Sequence, residues 1–329
     1  MPRRRHQRGR SIRWLIGVVA MLWVTASCSE SSNEPTIAVA TTATGGPALT
    51  VPATVTMNES RLITANGSEA VEPIFENFEG ATFSNPTVID NEWFPLTPGN
   101  RLVLDGTSVE DGEELAHRIV YVVTDFTKEI AGVKTVVVWI EDYSDDELVE
   151  VELAFYAQDD AGNIWFFGEH PEEYEDEEFI EAPTWIAGIQ DARAGIVMYA
   201  KPEPGLPPYF QGWGPAVEWS DFGVVDSVGL EACVALGCYT DVLTIAESSL
   251  GEAGAVQLKS YARGVGTIRV DFRGDDLTQE RLEVVEFGPL SAADMERYRA
   301  TSVALEAHAY QISPEVYGAT TPMQEPGPS

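Results

Sequence analysis

Residues 147–157 read ELVEVELAFYA, and their reading decides the fold. Val149, Val151, Leu153 and Phe155 alternate with Glu150, Glu152 and Ala154. A period of two sends alternate side chains to opposite sides of an extended chain. Glutamates on one side predict a strand with one face in the core and one face in water.

The pattern continues outward in both directions. Upstream, HRIVYVVTDF (117–126) sets Ile119, Tyr121 and Val123 on one side, and VKTVVVWIE (133–141) is apolar on both sides, as a central strand is. Downstream, VQLKSYAR (256–263), TIRVDF (267–272) and RLEVVEF (281–287) repeat it. The segments EDG, AGV, YSDDE, DDAGN and RGDD stand between the runs and carry the chemistry of tight reversals. Connections this short join antiparallel neighbours, because a parallel crossover needs a dozen or more residues. The expected fold is mainly β: a single large antiparallel curved sheet, closing partly as a barrel or forming a sandwich. One C-terminal α-helix is expected over about 291–310. Ser291 caps it with Asp294 three residues on, and Met295, Tyr298, Ser302, Leu305 and Ala309 share a face.

Flanking segments have other compositions. Arg3, Arg4, Arg5, Arg8, Arg10 and Arg13 precede an apolar run from Trp14 to Thr25, the layout of an export signal over 1–27. The run falls short of the roughly 20 apolar residues a spanning helix needs. The residues that follow Arg3, Arg4 and Arg5, HQRGRS (6–11), do not fit twin-arginine export. Residues 28–82 read as a lipidated cysteine and a disordered tether, rich in Ser, Thr, Ala and Pro, with a reach on the order of 40 Å. Residues 83–312 form the single β-rich domain, and 313–329 are expected to be a disordered tail.

Composition narrows the function classes. The chain carries 53 acidic and 20 basic residues, a net charge of −33. Six of the basic residues lie in the export segment, so the remainder is more acidic still. Such a charge disfavours nucleic acid, which is bound by clustered Lys and Arg. Hydrophobic residues at 44% are enough for a packed core. A monomer is expected.

Several words bear a likeness to known proteins. VTASC (24–28) resembles the lipobox of bacterial lipoproteins, with Thr25 where Leu is usual, which implies a lipid on Cys28 and attachment to the outer face of the cell membrane. Cleavage after Ala26 or Ser27, giving a secreted protein, and uncleaved retention are the alternatives. FSNPTVIDNEWFPLTPGNRLVL (83–104), LAFYAQDDAGNIWFFGE (153–169), WIAGIQDARAGIVM (185–198), GCYTDVLTI (237–245) and KSYARGVGTIRV (259–270) resemble, in that order, a widespread set of secreted bacterial proteins of the actinobacterial type, many of them lipoproteins. That resemblance carries no established activity. At fold level the outline is also similar to half-barrel lipoprotein carriers of apolar ligands.

Chemistry-bearing residues are sparse. Cys233 and Cys238 in an exported chain predict a disulfide across a tight turn. His6, His117, His170 and His308 belong to no catalytic or metal set, and the chain has no phosphate-binding or dinucleotide glycine loop. Asp159, Asp160 and Asn163 in DDAGN are weak calcium candidates, better read as a hairpin turn because the spacing of an EF-hand is missing. The acidic run Glu169–Glu181 reads as a solvated segment that a divalent cation could order. The aromatic stretch KPEPGLPPYFQGWGPAVEW (201–219) offers Tyr209, Phe210, Trp213 and Trp219 as the rim of a ligand pocket, or as a loop covering the sheet edge.

The leading expectation is a tethered, non-enzymatic surface lipoprotein binding an apolar, carbohydrate or protein ligand. A hydrolase using paired carboxylates is the first alternative. A structural envelope protein is the second.

Overall fold

A computed structural model describes residues 71–325, so the export segment, Cys28 and most of the tether lie outside the described residues. The strands are β1 (Asn100–Glu110), β2 (Glu113–Ile130), β3 (Val133–Ser144), β4 (Glu147–Gln158), β5 (Ile164–Glu175), β6 (Glu178–Glu181), β7 (Trp185–Ile186) and β8 (Arg193–Met198). They continue as β9 (Tyr209–Phe210), β10 (Gly212–Trp213), β11 (Asp221–Val234), β12 (Gly237–Ser249), β13 (Ala255–Ala262), β14 (Gly266–Gly274) and β15 (Arg281–Pro289), followed by the helix α1 (Ala292–Ile312).

All the strands join one curved antiparallel sheet, as the sequence predicts. Its order is β10-β8-β5-β4-β3-β2-β1-β15-β14-β13-β12-β11-β9. The long hairpins turn on two residues of positive φ: Asp111 and Gly112, Ala131 and Gly132, Asp145 and Asp146. A two-residue loop with both φ values positive twists with the sheet and fixes the register, here Glu110 opposite Glu113 and Ser144 opposite Glu147.

The ladder does not close into a barrel. A strap closes the gap instead. β9 and β10 are separated only by Gln211, yet β9 pairs with β11 at one end of the sheet and β10 with β8 at the other. The strap passes so close to β8 that a Cβ on Gly195 would lie 2.4 Å from Phe210 O, and no side chain fits there.

Opposite faces of the sheet meet different partners. On the outer face lie α1 and the segment after it: Trp139 meets Tyr298 of the helix and Phe155 meets Tyr317 beyond it, each pair at 6.3 Å between ring centres. Ser291 caps the helix as expected, accepting from Asp294 N at 3.1 Å, and Tyr298, Ser302, Leu305 and Ala309 are buried.

Three expectations are corrected. First, β4 has no wet face: Glu150 and Glu152 are buried, 3% and 2% exposed, because the inner face of the sheet is curled over them. Second, the described part of the tail packs. Tyr317 is fully buried, worth on the order of 3 kcal/mol for a side chain of this size, and Gln324 pairs with Thr127. Third, order begins before residue 83. Ile74 bridges Tyr209, and Phe78 packs against Phe83, Trp165 and Phe167.

Candidate functional site

The inner face lines a cavity of about 170 Å³. β1 to β5 line one side of it and β11 to β15 the other. Its walls are apolar and aromatic, with Phe94, Leu102, Val138, Tyr156 and Phe166 among them. Tyr156 and Phe166 stack at 4.8 Å and 15°, and Phe94 leans on Tyr156 at 5.5 Å. Stacked rings of this kind present a rigid, well-packed surface.

A polar group of residues interrupts the wall: Glu152 of β4, Glu169 of β5, Gln211 of the strap, Asp221 of β11, Glu247 of β12 and Lys259 of β13. Glu152 reaches the cavity by simple alternation, two residues before Ala154 and four before Tyr156. Glu169 does not. A register shift between Ala154 and Tyr156 opens a bulge in β5, so that Phe166 and Glu169, three residues apart, both line the cavity. Gly168 within that bulge has φ +125° and lies against the Trp185 backbone, where a Cβ would sit 2.2 Å from a carbonyl oxygen.

The charges are unevenly matched. Lys259 Nζ is 2.6 Å from Glu247 Oε2, and Gln211 Nε2 donates to Glu247 Oε1 at 2.9 Å. Glu169 accepts from Trp185 Nε1 at 3.1 Å. Glu152 Oε2, Asp221 Oδ1 and Trp219 Nε1 are buried with no hydrogen-bond partner. Burial pushes the Glu152 carboxyl up to about 8, helped by the charge of Asp142. Burial and the neighbouring Glu247 push Asp221 up to about 7. Burial, with Glu152 nearby, holds Glu169 well above the usual carboxylate range. Burial opposes the charge on Lys259, but Glu247 outweighs it and raises the ammonium.

The predicted site residues scatter. Trp219 lines the cavity. Tyr209 is fully buried beneath the strap, Phe210 stacks on Phe75 at 4.2 Å, and Trp213 sits half-buried at the edge of the same ring cluster. These three build the strap and do not form a pocket rim. Cys233 and Cys238 are bonded across the β11–β12 hairpin, with Cα atoms 4.0 Å apart.

Asp159, Asp160 and Asn163 form a hairpin turn. Asp159 accepts from Ala161 N, Asn163 N, Asn163 Nδ2 and Trp165 Nε1, while Asp160 holds Ser84. Among the described residues no group of three or more His, Cys, Asp or Glu side chains could hold a metal ion. The acidic run is not uniformly solvated: Glu169 and Glu172 are buried, and Glu172 accepts from Tyr174 and contacts His170 and His308. His117 is buried between Asp142 and Glu280, and His170 is fully buried beside Thr184.

No protein-family model matches the chain, and no curated protein matches it. Among solved structures the chain is similar to a Bacteroides fragilis protein described as exported and as having a YmcC-like fold. The identity is 10% and the TM-score 0.37, over 60% of this chain and 99% of that one. It is also similar to a Parabacteroides distasonis protein described as a lipoprotein, at 12% identity and a TM-score of 0.36, over 60% of this chain and all of that one.

Proposed function

We propose that this chain is an exported binding domain, held at the membrane by a lipid on Cys28, whose inner cavity takes one small molecule with an apolar body and a polar end. One observation carries the binding reading. Glu152 Oε2 and Trp219 Nε1 line an aromatic-walled cavity and have no partner within the protein. A buried polar atom left unpaired costs on the order of 1–3 kcal/mol, which a ligand atom would recover. Engineered cavities of about 150 Å³ admit a benzene ring, so this cavity has room for an apolar body of at least that size. The basic and apolar N-terminal segment followed by VTASC supports export and lipidation.

The test is a thermal-shift screen of small aromatic and aliphatic compounds on the wild type and on Val138→Trp, whose new ring would occupy the cavity. Stabilisation of the wild type alone is expected. No stabilising compound, or equal stabilisation of both proteins, would reject the reading.

A second reading, hydrolysis of a glycosidic bond, has one observation in its favour. Burial pushes the Glu152 carboxyl up to about 8, as a general acid requires, and Glu247 lines the same cavity beside the Lys259 ammonium. Turnover on a glycan panel that disappears in Glu152→Gln would establish it.

A further inference from the structure

The polar part of the cavity is asymmetric in a way that selects among ligands. Six carboxyls, Glu152, Glu169, Asp221, Glu247, Glu252 and Asp276, line a cavity with one ammonium, Lys259, and Glu247 already engages that ammonium at 2.6 Å. The other basic residue at the cavity, Arg101, is ion-paired with Glu286. The open carboxyl oxygens of the lining stand at Glu152, Asp221 and Asp276, and such oxygens accept hydrogen bonds from a donor-rich group. Trp219, Tyr156 and Phe166 line the same cavity, and a cation is attracted to an aromatic ring when water is excluded.

We infer that the polar end of the ligand is a positively charged nitrogen, received by the unpaired carboxyl oxygens of Glu152 and Asp221 in the cavity that Trp219 lines. This rests on the binding reading above and narrows it to amines and related cations. A carboxylate or phosphate end would enter a site with an excess of carboxyls and no free cation to meet it. A hydroxyl end could bond to the same oxygens, but it would leave the charge excess unanswered once a carboxyl ionises. The uncompensated charge is answered either by protons or by a cationic guest.

Binding therefore couples to proton release. Glu152 faces Asp142 of β3, Lys259 of β13 and Tyr121 of β2, with Glu169 of β5 and Tyr156 of β4 beside it. Asp221 faces Glu247 of β12, Lys259, Glu252 and Glu169. Against these neighbours the two carboxyls carry protons near neutral pH, which a cation must displace.

The experiment compares benzylamine, benzyl alcohol and benzoate, three probes with the same ring, by calorimetric titration of the folded domain. Benzylamine is expected to bind most tightly, with affinity rising about tenfold from about pH 6 to about pH 8, while the alcohol stays flat. Glu152→Gln and Asp221→Asn should each weaken benzylamine about tenfold more than they weaken benzyl alcohol. If either variant fails to fold, the other variant and the wild-type pH profile still decide. Benzyl alcohol or benzoate binding as tightly as benzylamine would overturn the cation and keep the pocket. Benzylamine affinity unmoved by both variants would also overturn the cation. No binding by any probe in the millimolar range would overturn the cation together with the pocket.

Discussion

Gln211 donates a 2.9 Å hydrogen bond from its side-chain amide to Glu247, and through it the strap is tied to the wall of the cavity. Gln211 is the one residue between β9 and β10, so its side chain fixes the segment that spans the two ends of the sheet. Gln211→Ala leaves Glu247 its Lys259 partner and removes one charge-assisted bond. The expected cost is about 2 kcal/mol in urea unfolding, with unchanged strand content by circular dichroism. A stability change near zero would show that the strap holds without it.

His117 predicts a pH dependence. Burial opposes its charge, but hydrogen bonds with Asp142 at 2.7 Å and Glu280 at 3.0 Å prevail and raise it to about 10. The folded pKa lies above the unfolded one, so the stabilisation is complete below about pH 6.5 and is lost as pH rises through about 10, by about 1 kcal/mol per pH unit in that window. His117→Gln should flatten this slope in guanidinium titrations made across the range. An equal slope in both proteins would remove His117 from the account.

Lys128 is fully buried on the outer side of β2. It lies 2.9 Å from Glu306 of the helix and 2.7 Å from Thr321 O of the tail. Glu306 in turn accepts from Met323 N and Tyr317 OH. Lys128→Met leaves a carboxylate without its cation, and about 3–5 kcal/mol of stability should go with it. Limited proteolysis should then cut the 313–325 segment first. Resistance of that segment in the variant would mean that Tyr317 packing alone secures it.

Tyr209 and Trp213 should separate. Tyr209→Ala opens a hole beneath the strap and is expected to cost about 3–5 kcal/mol. Trp213 is half-buried, and its replacement by Ala should cost about 1 kcal/mol. Equal losses by thermal unfolding would contradict the different burial of the two rings.

Sheet, hairpins, disulfide and helix were legible because each leaves a local signature: alternation, Gly and Asp at turns, a capping Ser. Burial of the glutamates was legible only by combining two segments. VKTVVVWIE is apolar on both faces, and the strand paired with it must therefore be covered on both faces too. Glu152 lies opposite Ile140 and Glu150 opposite Asp142, so neither could face bulk water. Glu169 could not be found this way, since a bulge reverses its side and only Gly168 hints at it. Asp221, Glu247 and Lys259 come from strands remote in sequence, and their meeting depends on the curvature of the whole sheet. The strap was hidden for the same reason. Its aromatic residues signalled burial, but its two-sided pairing is a property of where the sheet's ends arrive.

That pairing also bears on solubility. A hydrogen-bonded path of thirteen strands has two rims, and a free rim is where a strand from another molecule adds and aggregation begins. Here Phe210 and Gly212 occupy part of both rims. The uncovered length of β11 is broken by register shifts after Val225, Ser227 and Leu230, and carries Asp226 and Glu231. One cut in the peptide between Tyr209 and Trp213 would release the pairing at both rims together, leaving the backbone of β8 and β11 open to a strand from another molecule.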